Sequence, residues 1–379
     1  MRDVVVLGVG MHRFGIHRKI PMSQLVRTAG RAALDDAGIG FRDVQAAYVG
    51  YLHAPVMSAP KQMKEFGLTG IPLLHVENAS ATGSVAFREA WMAVSGGHHD
   101  CALAIGFDKF SDLRFDVSAQ SRNIEGTILP VAFFAMWATR RMHERGTTRE
   151  HLARIAAKNW NNGALNPMSD RQPDHRITVE EVLAAKTISD PLTAMMSCPV
   201  DDGAAAAIVC TREFADRVAP GRPRVVVKAS VLRSETYTPG HTFLGAVIGP
   251  QQMTTDTAQA AYEASGIGPE DIDLVQCHDA FSIEELEYYE LLGFCRPGEA
   301  ESLLESGATE IGGRIPFSTD GGLIARGHPG GPTGLAQLWE TTLQLRGEAG
   351  KRQVEGARTG LCHLVGGGSV AICTILQRE

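Results

Sequence analysis

No two of the seven cysteines have C-x-x-C spacing, and their number is odd. That pattern excludes a disulfide framework and a zinc ribbon, and it reads as reduced thiols, mostly core filler, in a cytoplasmic setting. No apolar run approaches the ~18 residues of a membrane span. Met1-Arg2-Asp3-Val4 runs straight into a strand, with no signal-peptide pattern. Leu376-Gln377-Arg378-Glu379 carries no peroxisomal or retention tripeptide. Basic excess is also missing. Net charge is -7, which offers nothing to nucleic acid or to an anionic membrane. Gly8-x-Gly10 is no dinucleotide fingerprint, because Arg13 stands where the third glycine belongs. His98-His99-Asp100 has no metal-ligand partner at useful spacing and reads as a solvated loop.

What remains is an ordinary globular composition of 379 residues, 44% hydrophobic and 21% charged, long enough for two domains. The chain echoes itself. Val4–Gly10 and Val225–Val231 are buried-strand patterns, each followed by a helix-like stretch. Those stretches end in Ala37-Gly38-Ile39-Gly40 with Asp43, and in Gly266-Ile267-Gly268 with Asp271. The two glycines lie 228 residues apart (266 minus 38). In both, glycine stops a helix and a short turn feeds an apolar strand, at Ala46–Gly50 and at Ile272–Cys277. The echo continues with helices opening at Ala81 and Pro332, then strands at Cys101–Gly106 and Gly360–Val365. Two tandem βα-rich halves are expected, 1–221 and 222–379, joined near Pro220-Gly221-Arg222-Pro223. Residues 112–200 break the pattern and are read as an inserted loop domain, with a helix at Thr148–Trp160 and a loop at Asn161–Pro167.

Four segments carry the chemistry. His278-Asp279-Ala280-Phe281-Ser282 ends a strand, where α/β sheets handle ligands. Gly327-His328-Pro329-Gly330-Gly331 fixes an imidazole in a bare turn. Cys362-His363 runs toward Gly366, Gly367 and Gly368, whose N–H groups suit an oxyanion. Asn78-Ala79-Ser80-Ala81-Thr82-Gly83 puts Ser80 at or near a helix N-terminus, as a nucleophile or simply as an N-cap. His278 reads equally as structural, and the glycines as a plain strand–loop junction.

Taken together, these segments make the whole chain resemble the thiolase superfamily. More narrowly it resembles the sterol-carrier-protein or lipid-transfer-protein branch. That branch has His-Asp-Cys-Phe where this chain has His278-Asp279-Ala280-Phe281. Gly327-His328-Pro329, Glu77–Gly83, Pro191-Leu192-Thr193 and Asp202–Ala206 also match. The resemblance implies two βαβαβαββ halves in a layered αβαβα sandwich, an α/β fold with an inserted loop domain. It implies acyl-CoA substrates, no tightly bound cofactor or metal, coenzyme A as the substrate's carrier, and a homodimer. Relatives often pair with a small OB-fold and zinc-ribbon subunit. The implied roles are Ser80 as nucleophile, His328 activating it and forming one oxyanion hole with His278, and Cys362 near the acid/base cysteine. The Ser80 N–H and one from Gly366–Gly368 would form a second hole.

Two departures bear on the reaction. Ser80 replaces the cysteine of thiolases, and Ala280 replaces a second cysteine of the branch. A hydroxyl is far less acidic than a thiol and needs a base to attack. Its ester is also lower in energy than a thioester, so return of the acyl group to CoA runs uphill. The chain is therefore expected to make or break a C–C bond beside a CoA thioester. The forms open to it are thiolytic acyl transfer on a 3-oxoacyl-CoA and retro-aldol cleavage of a 3-hydroxyacyl-CoA without an acyl-enzyme. An engineered Ser80 that traps a complex, a non-catalytic acyl-CoA-binding subunit and a decarboxylating ketosynthase are the other readings.

Overall fold

A computed structural model describes residues 2–112, 130–237 and 251–379. Its strands are β1 (Val4–Met11), β2 (Ala46–Gly50), β3 (Leu73–Val76), β4 (Cys101–Lys109), β5 (Thr187–Ser189), β6 (Leu192–Thr193), β7 (Asp202–Thr211), β8 (Val225–Ser234), β9 (Leu274–Gln276), β10 (Thr359–Gly366) and β11 (Val370–Arg378). Nine of them join in the order β3-β2-β4-β7-β1-β8-β11-β10-β9, and β5 pairs with β6 apart from the rest.

That order is nearly a mirror about the β1–β8 seam. Within the first half, β1–β7 and β7–β4 are antiparallel, while β4–β2 and β2–β3 are parallel. In the second half, β8–β11 and β11–β10 are antiparallel and β10–β9 is parallel. Where β3 flanks β2, a single parallel bridge joins Val275 of β9 to Phe317. A single register pair, Val5 with Val226, crosses the seam.

The helices form the other layers. Met22–Ala37 packs on β1 and β7, and Gln251–Ser265 on β8 and β11. Thr82–Ser95 and Thr333–Arg346 pack on each other between the two half-sheets. Burial separates the layers. The outer helix Met22–Ala37 buries one stripe, whereas Thr333–Arg346 is buried nearly all round. Several of its buried polar residues are paired: Glu340 with Arg352 at 2.8 Å, and Arg346 with Asp36 of the outer helix at 2.8 Å. Together the layers make an αβαβα sandwich.

The echo in sequence has a local cause. Gly38 and Gly266 end their helices at φ 69° and 68°. The side chains of Asp43 and Asp271 then accept from the Gly40 and Gly268 N–H groups, at 2.9 and 3.1 Å. Within the first half, helices Pro130–Arg145, Arg149–Ala164 and Val179–Ala184 occupy the inserted stretch, of which residues 113–129 lie outside the described residues. The Arg149–Ala164 helix runs through Asn161-Asn162-Gly163, where the sequence reads as a loop. Long-range bonds override that local preference: Asn161 Nδ2 donates to the Ile177 carbonyl and Asn162 Nδ2 to that of Ser318.

Candidate active site

The two central helices begin at the same end of the sandwich, and their leading turns meet there. Ala79, at φ 47°, bends the chain sharply, and its N–H donates to Glu77 Oε1. Ser80 follows, two residues ahead of the helix that starts at Thr82. Its hydroxyl does not cap that helix. It lies 3.1 Å from His328 Nε2 instead.

The His328 turn is held from several sides. Asp201 Oδ2 accepts the His328 N–H at 3.1 Å, and Asp108 accepts that of Gly331 at 2.6 Å. Thr333 Oγ1 donates to the Pro329 carbonyl (2.5 Å) and sits 2.9 Å from His328 Nδ1. Its one proton is thus committed, and Nδ1 must supply the other. Burial pushes the His328 pKa well below the ordinary imidazole range, and the neighbouring His278 and Arg326 add to the effect. A neutral ring protonated on Nδ1 keeps a lone pair on Nε2, aimed at Ser80. In that state Nε2 can accept a proton, and it can donate a hydrogen bond only after taking one.

His278 leaves the end of β9 with its ring centroid 5.5 Å from that of His328, at 86°. Its Nδ1 lies 2.8 Å from Glu284 Oε1. Glu284 also accepts the Phe281 N–H and the Tyr288 hydroxyl, at 3.0 and 3.1 Å. The carboxylate thus orients the ring as the acid of a catalytic triad does. His278 Nε2 is buried and has no partner among the described residues.

These groups share a cavity of about 820 Å³. Ser80, His278, His328, Gly367 and Gly368 line it, together with Glu284, Cys198, Ala280 and Phe134. Gly367 and Gly368 have φ of 56° and 77°, a left-handed pair that turns β10 into β11 beside the cavity. Gly366 plays a different part. A Cβ there would run into the Asn78 carbonyl, so its bareness lets β10 approach the Ser80 turn.

Cys362 departs from expectation. It is buried among the central helices, its Sγ 3.2 Å from Thr341 Oγ1, and it does not line the cavity. Strand alternation is the reason: on β10, residue 362 faces one side and residue 363 the other. His363 therefore takes the opposite face from Cys362, edge-on to Tyr288 at 4.5 Å, with neither ring nitrogen partnered among the described residues. Burial lowers its pKa to about 3. Sequence reasoning missed Glu284, Tyr288 and Cys198. Glu284 had one available signal, its place two positions past His278-Asp279-Ala280-Phe281-Ser282 at the mouth of a helix. Among the described residues no group of histidine, cysteine and carboxylate side chains could hold a metal.

The fold and the cavity define a duplicated α/β protein with a serine, two histidines and a glutamate gathered at one cavity. Residues 4–213 match "Thiolase, N-terminal domain" and residues 248–378 match "Thiolase C-terminal domain-like". The chain is 39% identical to an acetyl-CoA acetyltransferase of Methanothermobacter thermautotrophicus, with both chains covered fully. It is 36% identical to sterol carrier protein 2 of Homo sapiens, over 100% of this chain and 72% of that one. Among solved structures, the Ltp2-ChsH2(DUF35) aldolase superposes with a TM-score of 0.85 at 25% identity, covering 99% of this chain and 97% of that one. The chain belongs to the thiolase family.

Proposed function

We propose that this acyl-CoA enzyme of the thiolase family cleaves a 3-hydroxyacyl-CoA by a retro-aldol reaction. One observation carries the reading: the lone pair of neutral His328 Nε2 points across the cavity at a hydroxyl, that of Ser80. A substrate 3-hydroxyl placed there loses its proton to Nε2. The C2–C3 bond then breaks, C3 becomes a carbonyl, and the electron pair moves into the thioester enolate. The enolate oxygen is stabilised by His278 and by backbone N–H groups of Ser80 and the 366–368 turn. Ser80 contributes position and polarity, and no acyl-enzyme forms. Cys362, turned away from the cavity, has no part in this scheme. The likeness to an aldolase supports the reading. The Ser80–His328 contact also suits nucleophile activation, so acyl transfer from a 3-oxoacyl-CoA is the second reading.

The test supplies 3-hydroxyacyl-CoAs and 3-oxoacyl-CoAs of matched chain length, with and without free CoA. Release of an aldehyde or ketone from the hydroxy compound, independent of CoA, is expected. Consumption of the oxo compound alone, and only with CoA present, would overturn the reading.

Coenzyme A enters as the substrate's carrier, and no tightly bound cofactor is required. The halves are taken as 1–221 and 222–379, with 112–200 inserted. A homodimer is proposed on the β3 edge, where Leu74 and the nearby Val56, Met57 and Leu68 are exposed. The paired name of the aldolase relative supports a second, smaller subunit, for which an OB-fold and zinc-ribbon chain is the candidate. No described helix is long and apolar enough to cross a membrane. Seven free cysteines suit a cytoplasmic setting.

A further inference from the structure

Retro-aldol cleavage leaves an enolate that must gain a proton at C2. The two histidines do not supply one there, since His328 takes the hydroxyl proton and His278 faces the enolate oxygen. Position 280, where the branch carries a second cysteine, is alanine. The segment Met195–Cys198 lies against this alanine. Its course is fixed by the Trp160 indole donating to the Met195 carbonyl (3.0 Å), by Arg171 donating to that of Ser197 (2.7 Å), and by a bridge from Ser197 to Phe281. The Cys198 N–H donates to the Ala280 carbonyl at 2.8 Å. Cys198 and Ala280 line the same cavity as Ser80, His278 and His328. A second feature marks the cavity as built for a ligand. His278 is 94% buried and lines it, yet its Nε2 has no partner among the described residues.

We propose that Cys198 is the second proton carrier of this site, donating its S–H proton to C2 of the enolate and recovering it afterwards. The inference rests on the reading that the site breaks a C–C bond beside a CoA thioester. The balance closes. The hydroxyl proton goes to His328 Nε2, and the C2–C3 electron pair goes to the enolate. The Cys198 proton goes to C2, and the thiolate is reprotonated by the His328 imidazolium, directly or through water. No oxidant or co-reactant is needed. The thiol's protonation state suits the role. Burial pushes its pKa up to about 12, with Glu284, Asp279 and Asp201 adding to the rise and Arg171 opposing it. It stays protonated at neutral pH, and it remains a far stronger acid than the C2 hydrogen it delivers.

Exchange of the C2 hydrogens of butyryl-CoA in D2O isolates this step from C–C cleavage. The wild-type enzyme is expected to exchange one C2 hydrogen stereospecifically. Cys198→Ala should slow exchange and 3-hydroxyacyl-CoA cleavage by about 10²–10⁴-fold. Cys198→Ser, closer in shape, separates loss of the proton carrier from loss of folding, with the thermal transition and butyryl-CoA binding measured on both variants. The serine variant should bind like wild type and exchange poorly. Wild-type rates of stereospecific exchange in the alanine variant would overturn the assignment while leaving the retro-aldol reading standing. If the wild-type enzyme neither exchanges C2 hydrogens nor cleaves any 3-hydroxyacyl-CoA, the retro-aldol reading fails, and the role of Cys198 fails with it.

Discussion

The turns that lead into the two central helices are counterparts in the duplicated fold, yet they are built differently. The first, Asn78–Ala81, is half-exposed and bends through a left-handed alanine. The second, Gly327–Pro332, is mostly buried and is tied down by Asp201, Asp108 and Thr333. Duplication placed two helix N-termini at one cavity. One turn carries a hydroxyl there and the other an imidazole whose protonation is set by its surroundings. A base needs a fixed tautomer, which demands dedicated partners. A hydroxyl that only offers a polar contact needs none, and among the described residues the Ser80 hydroxyl bonds His328 alone.

Breaking the more heavily supported turn should have the largest effect. His328→Ala is expected to lower turnover of the active acyl-CoA by about 10²–10⁴-fold, the range for losing a general base. The fold should survive, because Asp201 contacts the backbone of residue 328 rather than its ring. Steady-state kinetics beside a thermal melt checks both. An unchanged rate would remove His328 from the chemistry.

Much of this comparison was legible in the sequence, and the reasons are local. Gly38 and Gly266, with Asp43 and Asp271, announce the duplication because each pair satisfies its own helix end and turn. Gly-His-Pro-Gly-Gly and the Ser80 segment marked their turns in the same way. Cys362 was misplaced because proximity along the chain to three glycines says nothing about which face of β10 a side chain takes. Cys198 was invisible for a complementary reason. Its place beside Ala280 depends on Trp160 and Arg171, contacts made across the inserted stretch. The end of the Arg149–Ala164 helix was missed on the same ground, since Ile177 and Ser318 satisfy its asparagines.

The exposed turn depends on close approach rather than on hydrogen bonds. Gly366→Ala would drive a methyl group into the Asn78 carbonyl, against backbone that cannot swing away. A loss of about 1–3 kcal/mol in stability is expected, read by denaturant unfolding, together with reduced activity from a displaced Ser80. A neutral result would mean that β10 and the Ser80 turn can separate without cost.

A condition-dependent effect, absent at neutral pH, comes from the buried His363. Its folded pKa, about 3, lies below the unfolded value of 6.5. Folding therefore favours the neutral ring. That contribution is fully present above about pH 6.5 and is lost as pH falls toward 3, because the unfolded chain then binds more protons. The slope approaches about 1.4 kcal/mol per pH unit within that window. His363→Phe keeps the ring against Tyr288 and cannot titrate. Its stability should therefore fall less steeply than wild type between pH 6.5 and 4 in parallel melts. Equal slopes would assign the acid sensitivity elsewhere.

The smallest effect should fall on Ser80 itself, and it sharpens the comparison most. If the serine is only a polar contact, Ser80→Ala removes one hydrogen bond to His328 and leaves the backbone N–H in place. A single neutral hydrogen bond is worth about 0.5–1.5 kcal/mol, so retro-aldol turnover should fall by no more than about tenfold. If the serine is a nucleophile, the same variant should be dead. Wild-type enzyme should then carry an acyl adduct on the peptide from Glu77 to Arg88 at a kinetically competent rate. Ser80→Cys adds a third arm. Should it gain brisk thiolysis of a 3-oxoacyl-CoA, the oxyanion groups must already suit acyl transfer, and the choice between the two reactions would lie in a single side chain. The expected pattern is a surviving alanine variant and no adduct. It would mean that the turn inherited from a nucleophile now serves by its backbone, with the proton chemistry lying wholly in the turn opposite and in the wall beside Ala280.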